Sequence, residues 1–283
     1  DDTYIVSTSS DGRVLLYNGN YLLVGEFKVS DDANHHVTKE EDNCLVIYVG
    51  YNDKHIRIFK FTENDLKFQL VTEIYTNSIV NKVLIHENLL ISALSNGNLF
   101  IINTNNNQVV SDDNIHGTNS INNLGIYPGN NIVTSDNIGT IKIHRYKKEL
   151  ILIKEFNQLH YNAINCMVVK QNVIASASRD GRISLIHIDE NFYSYRCKGH
   201  STGSYRAIDF NATSVIAAGT EGNIKCFSIA PQEKYRGKLL WESKEHLDFV
   251  NVVKISKEGI VYSGSSDNAV LGYSIKSGTL KFV

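Results

Sequence analysis

A hairpin signature recurs along this chain at a nearly fixed interval, and that interval limits the fold more than any other feature. A short apolar run, a few small residues, a turn and a second, alternating run appear seven times, from "IVSTSSDGRVLLYN" to "VYSGSSDNAVLGYSI". Aligned on the turn, the marks fall at Gly12, Lys54, Gly97, Gly139, Gly181, Gly222 and Asn268, in steps of 42, 43, 42, 42, 41 and 46 residues. Tight reversals need positive φ, which Gly and Asn supply at little steric cost. A repeat of about 40–45 residues with four short strands is the unit of a β-propeller.

Between successive turns there is room for two further strands. "FYSYRCKGH" and then "SYRAIDFNA" follow the Gly181 hairpin. No segment shows a 3.6-residue apolar period, which excludes a helical solenoid, and a β-sandwich would need far fewer strands. The expected fold is all-β: a seven-bladed propeller of four-stranded antiparallel blades, forming one domain over residues 1–283. The chain opens on a second strand, "YIVSTSS", and closes on a fourth, "GTLKFV". Blade 1 is therefore expected to lack its inner strand, which would lie upstream of Asp1 or come from a partner.

The residues around the turns carry a family resemblance. The chain resembles the WD-repeat β-propellers over essentially its whole length, as a divergent member. That family places a Gly-His pair before the inner strand, Ser or Thr on the second strand, Asp in the hairpin and Trp-Asp at the end of the third. The resemblance implies a hydrogen-bonded network of these side chains within each blade. Gly199 and His200 match the Gly-His pair, His160 and His246 stand in the same place without the Gly, and Asp11, Asp53, Asp180 and Asp267 match the hairpin Asp. Blade 5 keeps most of the network, with His160, Ser176 or Ser178, and Asp180. The Trp position holds Tyr17, Phe59, Ile102, His144, Ile186, Phe227 or Tyr273, so no blade has the Trp-Asp pair. The lone Trp241 falls on an expected outer strand.

Composition narrows the functional classes. The net charge is -2, which argues against a general nucleic-acid binder. No run of 18 apolar residues occurs, so no membrane-spanning helix is expected. Asn and Ile each occur 31 times, a bias that AT-rich codons explain. Cys44, Cys166, Cys197 and Cys226 form no CxxC pair, which fits reduced, buried thiols in an intracellular protein, cytoplasmic or nuclear. Adjacent His35 and His36, followed by acidic residues 40–42, read as a solvated loop between blades 1 and 2 rather than as metal ligands.

No catalytic constellation, metal site or cofactor motif is present in the sequence. The expected function is that of a non-enzymatic scaffold or adaptor, monomeric within a hetero-complex, with other proteins or peptides as partners. Partners of such propellers dock on the face that carries the hairpins. Tyr161, Arg179, Arg182, Tyr205, Arg206, Asp248 and Phe249 are the candidate partner-binding residues there, with Asn52, Lys54 and His55 on the same face. Arg179, Arg182 and Arg206 could together clamp an acidic or phosphorylated peptide, as in a ubiquitin-ligase substrate adaptor. Ordinary ion pairing of these arginines to Asp180, Asp209 or Glu221 is the simpler arrangement. A propeller hydrolase is the third reading and needs a nucleophile–base pair in the channel. Arg145, Lys147 and Lys148, and the insertion at 232–238, belong to the opposite face.

Overall fold

The computed structural model describes residues 4–41, 43–189, 191–197, 202–229 and 236–282. All seven turn residues expected from the repeat have positive φ, from 67° at Lys54 and Asn268 to 100° at Gly139. Each closes an antiparallel hairpin between the second and third strands of one sheet. Glycine is needed for space as well as for φ: a Cβ on Gly12 would lie 2.2 Å from the Val29 carbonyl oxygen.

Seven antiparallel sheets follow one another along the chain, and no helix occurs among the described residues. Sheet 1 holds β1 (Ile5–Thr8), β2 (Arg13–Tyr17) and β3 (Leu23–Lys28). Sheet 2 holds β4 (Ala33–Glu41), β5 (Cys44–Tyr51), β6 (His55–Thr62) and β7 (Lys67–Tyr75). Sheet 3 holds β8 (Val80–His86), β9 (Leu89–Leu94), β10 (Asn98–Asn103) and β11 (Gln108–Asn114). Sheet 4 holds β12 (Ile121–Tyr127), β13 (Asn131–Asp136), β14 (Ile141–Tyr146) and β15 (Leu150–Phe156). Sheet 5 holds β16 (Ile164–Lys170), β17 (Val173–Ser178), β18 (Ile183–His187) and β19 (Tyr193–Arg196). Sheet 6 holds β20 (Tyr205–Phe210), β21 (Ser214–Gly219), β22 (Ile224–Ser228) and β23 (Leu239–Ser243). Sheet 7 holds β24 (Val250–Ile255), β25 (Ile260–Ser265), β26 (Val270–Ser274) and β27 (Leu280–Phe282). Strand order is sequential in all seven, and sheet 1 has three strands where the others have four. Among the described residues sheet 1 has no inner strand, as expected.

The chain forms two compact units, residues 1–124 and 125–283. In the first unit, Leu16, Ile47, Phe59 and Phe61 fill the space between sheets 1 and 2. Ile56, Leu90, Leu94 and Ile102 do the same between sheets 2 and 3. In the second unit, Ile143, Ile164 and Ile186 join sheets 4 and 5, Ala177, Ile183, Phe210 and Phe227 join sheets 5 and 6, and Ala218, Val250 and Leu271 join sheets 6 and 7. Second strands are covered on both faces, and in β5, β13 and β21 every residue is buried. Outer strands alternate instead, and β7 is exposed at every second residue. From sheet 2 onward the residues at the Trp position are buried side chains of the third strand, filling the core without an indole. Trp241 lies on β23, its indole N–H donating to the Ile275 carbonyl at 2.8 Å.

Two expectations change. His35 and His36 stand in β4, the inner strand of sheet 2, and not in a loop. Their side chains are half-buried because β4 packs beside β1 on one side and β8 on the other. Of the four free thiols, Cys44 and Cys226 are buried while Cys166 and Cys197 are only partly so. The Lys147–Lys148 turn does connect the third and fourth strands of sheet 4, and Arg145 stands near the end of the third. Gly199, His200 and residues 232–235 of the insertion lie outside the described residues. No helix among the described residues is long and apolar enough to cross a membrane.

Candidate functional site

The end of the sheets that carries the hairpins is held by two different polar devices. In sheets 5 and 7 the sequence Ser-x-Ser-x-Asp turns the hairpin. Ser178 and Ser265 accept the amides of Asp180 and Asp267, whose carboxylates accept the amides of Arg182 and Ala269. A histidine from the segment before the inner strand locks each one. His160 Nε2 lies 2.8 Å from Ser176 Oγ, with Nδ1 3.3 Å from Asp180. His246 Nε2 lies 2.7 Å from Ser263 Oγ, with Nδ1 2.8 Å from Asp267 Oδ2. Burial works to raise the Asp180 pKa, but the His160 bond and the Tyr161 and Arg182 amides outweigh it and hold the carboxyl at about 2. The order Ser–His–Asp is that of a hydrolase triad. Here both serines are 1% exposed, so neither oxygen is accessible to a substrate, and the groups act as structural pins.

Sheets 2 and 6 carry a cation at this end. Arg57 Nη2 lies 2.6 Å from the hairpin carboxylate of Asp53, and Nε lies 2.9 Å from Glu73. Lys225 lies 3.4 Å from Glu221 and 3.8 Å from Glu242. In each case the fourth-strand glutamate is the direct cross-strand partner of the cation.

A second regularity lies on the inner strands. Asn34, Asn81, Asn165 and Asn251 each occupy the bulged second position of β4, β8, β16 and β24, where the register shifts. A bulge re-aims its side chain out of the pleat. Asn34, Asn81 and Asn165 donate to the first carbonyl of the following inner strand, Val80, Ile121 and Tyr205, at 3.0, 2.9 and 2.6 Å. The bulged position of β20 holds Arg206 instead. Its guanidinium lies over the Phe249 ring at 5.4 Å. This one departure opens onto a polar concavity of about 690 Å³ lined by Asn165, Arg179, Ser204, Arg206, Thr220 and Asn251.

No protein-family model and no curated protein matches this sequence. Solved structures do. The computationally designed Ika8 protein superposes with a TM-score of 0.81 at 19% identity, over 99% of this chain and 83% of the designed one. The WD40 β-propeller domain of Doa1 superposes with a TM-score of 0.66 at 18% identity, over 95% of this chain and 88% of that domain. The fold is a seven-bladed β-propeller.

Five of the candidate residues on this propeller are exposed, Arg182 is half-buried and Tyr205 is buried. Tyr205 is 2% exposed and packs in the core between blades 5 and 6, its hydroxyl pKa raised by burial. It is first on its inner strand, where the side chain points into the blade, so it leaves the surface set. Tyr161 is 67% exposed between two cations, with the Arg182 and Arg196 guanidiniums 4.9 and 5.0 Å from its ring centroid. Asp248 and Phe249 are exposed in the segment entering blade 7. Ion pairing of the arginines also fails as an expectation. Asp180 is taken by His160, Asp209 by Lys170 at 2.5 Å, and Glu221 by Lys225. Among the described residues none of the three guanidiniums pairs with those acids. Arg179 and Arg206 share the concavity, while Arg182 stands with Tyr161 and does not line it. Arg196 and the lining residues Asn165, Ser204, Thr220 and Asn251 escape sequence reasoning. An Asn one residue into every apolar inner run but that of blade 6 was the available signal.

Proposed function

We propose that this protein is a non-enzymatic interaction platform, a scaffold or adaptor, and that the hairpin end of blades 5 to 7 receives its partner. The observation that carries this reading is the pair Arg179 and Arg206. They come from neighbouring blades, both exposed, and share one concavity whose other lining groups are amides and hydroxyls. Exposed Tyr161 and Phe249 add rigid aromatic area, and Tyr, Phe and Arg supply most of the energy at protein interfaces.

The lining favours one kind of partner segment. Two guanidiniums with no acidic partner among the described residues, beside Asn, Ser and Thr donors, match a carboxylate-rich or phosphorylated peptide. An adaptor that reads such a peptide is therefore the finer reading. Titration of a phosphoserine peptide library, by fluorescence anisotropy, tests it against the parent chain and against Arg179→Ala and Arg206→Ala variants. Each substitution is expected to weaken the best ligand at least tenfold, and added salt to weaken it further. Unchanged affinity in both variants would remove the peptide-reader reading. Co-purification of the same partners by a Tyr161→Ala/Phe249→Ala variant would remove this face as the docking site.

A further inference from the structure

Given the peptide-reading role proposed above, on which this inference rests, we propose that blade 5 carries a second anion subsite. Arg182, Arg196 and Tyr161 build it, and the partner segment bears two phosphoryl groups about four residues apart.

Positive charge is in local surplus here. Arg179 and Arg206 share the concavity, while Arg182 and Arg196 stand outside it beside Tyr161. Among the described residues none of these four guanidiniums has an acidic partner, although acidic residues outnumber Lys and Arg in the chain by 30 to 28. The carboxylate nearest in sequence, Asp180, is spent. It faces His160 Nδ1 and accepts the amides of Tyr161 at 3.0 Å and Arg182 at 2.9 Å. Two guanidiniums beside one ring repel each other, and an anion seated between them turns that repulsion into attraction.

Each member is in place before a ligand arrives. The pin of blade 5 holds Tyr161 by its amide, so the ring stands out at the surface directly after the locked histidine, 67% exposed. Arg182 is fixed through its own amide at the start of the third strand. Arg196 ends β19 and donates Nε to the Leu159 carbonyl at 2.9 Å and Nη2 to the Gln158 carbonyl. Side chains anchored in this way lose little rotamer freedom on binding. Arg196 first, then Arg182, holds the Tyr161 hydroxyl below the usual phenol pKa by hydrogen bonding, so both cations sit at the oxygen end of the ring.

Two guanidiniums and a phenol therefore converge on one exposed point. Arg196 keeps further N–H donors after Nε and Nη2 are used, and the side chain of Arg182 makes no ion pair among the described residues. A phosphoryl group brings three acceptor oxygens and a charge of about −1.5 to −2 to such a set. A carboxylate brings two oxygens and a single charge, and leaves one of the three groups without its own oxygen.

The strand order gives the spacing. Asn165 and Arg206 of the concavity stand on the inner strands β16 and β20, whereas Arg196 ends β19, the outer strand of blade 5. Four strands about 4.8 Å apart put the inner and outer strands of a blade about 14 Å from each other. An extended segment rising about 3.3 Å per residue crosses that distance in about four residues. The segment runs across the blade 5 hairpin, one phosphoryl group between Arg179 and Arg206 and the other between Arg182 and Arg196.

Fluorescein-labelled Ala-Gly peptides with one phosphoserine, or with two at separations from one to about seven residues, probe the full chain by anisotropy. A second phosphoserine about four residues from the first is expected to tighten binding at least tenfold, and shorter or longer separations less. In an Arg182→Gln chain that gain is expected to fall below about twofold. Tyr161→Phe, which removes only a hydroxyl, is expected to cut it about threefold. A gain that survives Arg182→Gln, or is the same at every separation, is charge attraction alone and overturns the proposal. An equal gain from Glu at the second place overturns it as well. A singly phosphorylated peptide that binds and gains nothing from a second phosphate overturns this subsite and leaves the peptide reader standing. Failure of every phosphopeptide to bind removes both.

Discussion

Asn165 Nδ2 lies 2.6 Å from the carbonyl oxygen of Tyr205, so a bulged side chain of blade 5 ties down the first residue of the blade 6 inner strand. The same amide lies 2.9 Å from Ser204 Oγ. Asn165→Ala removes both bonds and leaves a carbonyl beside apolar core. A loss of about 1–2 kcal/mol is expected, read as a lower urea midpoint at unchanged slope.

Arg206 holds the position where blades 2, 3, 5 and 7 have Asn. Arg206→Asn supplies the missing amide for the next inner strand. The variant is expected to be more stable by about 0.5–1 kcal/mol and to lose affinity for acidic peptides, since one guanidinium leaves the concavity. Thermal unfolding and anisotropy on the same sample check both halves. A variant less stable than the parent would break the proposed equivalence of these positions.

Arg57 is 7% exposed at its side chain and bridges Asp53 and Glu73. Removing it strands Asp53, itself 22% exposed, in a partly desolvated setting. Arg57→Ala is expected to cost about 3 kcal/mol in chemical denaturation, and Arg57→Lys clearly less, because one ammonium can still serve one carboxylate. If Arg57→Lys unfolds with the parent, the planar fork is irrelevant to the blade.

His35 is desolvated on β4 with Lys82 and His36 nearby, which drives its pKa from 6.5 down to about 4. The unfolded chain then binds more protons than the folded one between those values. Stability is therefore complete above pH 6.5 and falls as the pH drops to about 4, by up to about 3 kcal/mol. His35→Asn is expected to flatten that limb of a stability–pH curve. Asp180 adds a later loss, between its ordinary 3.8 and about 2.

Some of this was written in the sequence and some was not. The seven turns were legible because a positive φ admits few residue types, and Gly12, Lys54 and Asn268 all take it. The pins of blades 5 and 7 were legible for the same reason: His, Ser and Asp recur at fixed spacing around a hairpin. The missing strand of blade 1 followed from counting. Tyr205 was misplaced because a strand's first residue can face either way, and only the bulge at Arg206 sets which one points into the core. The arginine acids were misassigned because Asp180 and Glu221 found partners within their own blades, His160 and Lys225, while Asp209 took Lys170 of the neighbouring blade, 39 residues away. Local backbone chemistry determined where this chain turns and how often. Which side chains face each other across neighbouring blades, and so where Arg179 meets Arg206, was decided by packing alone.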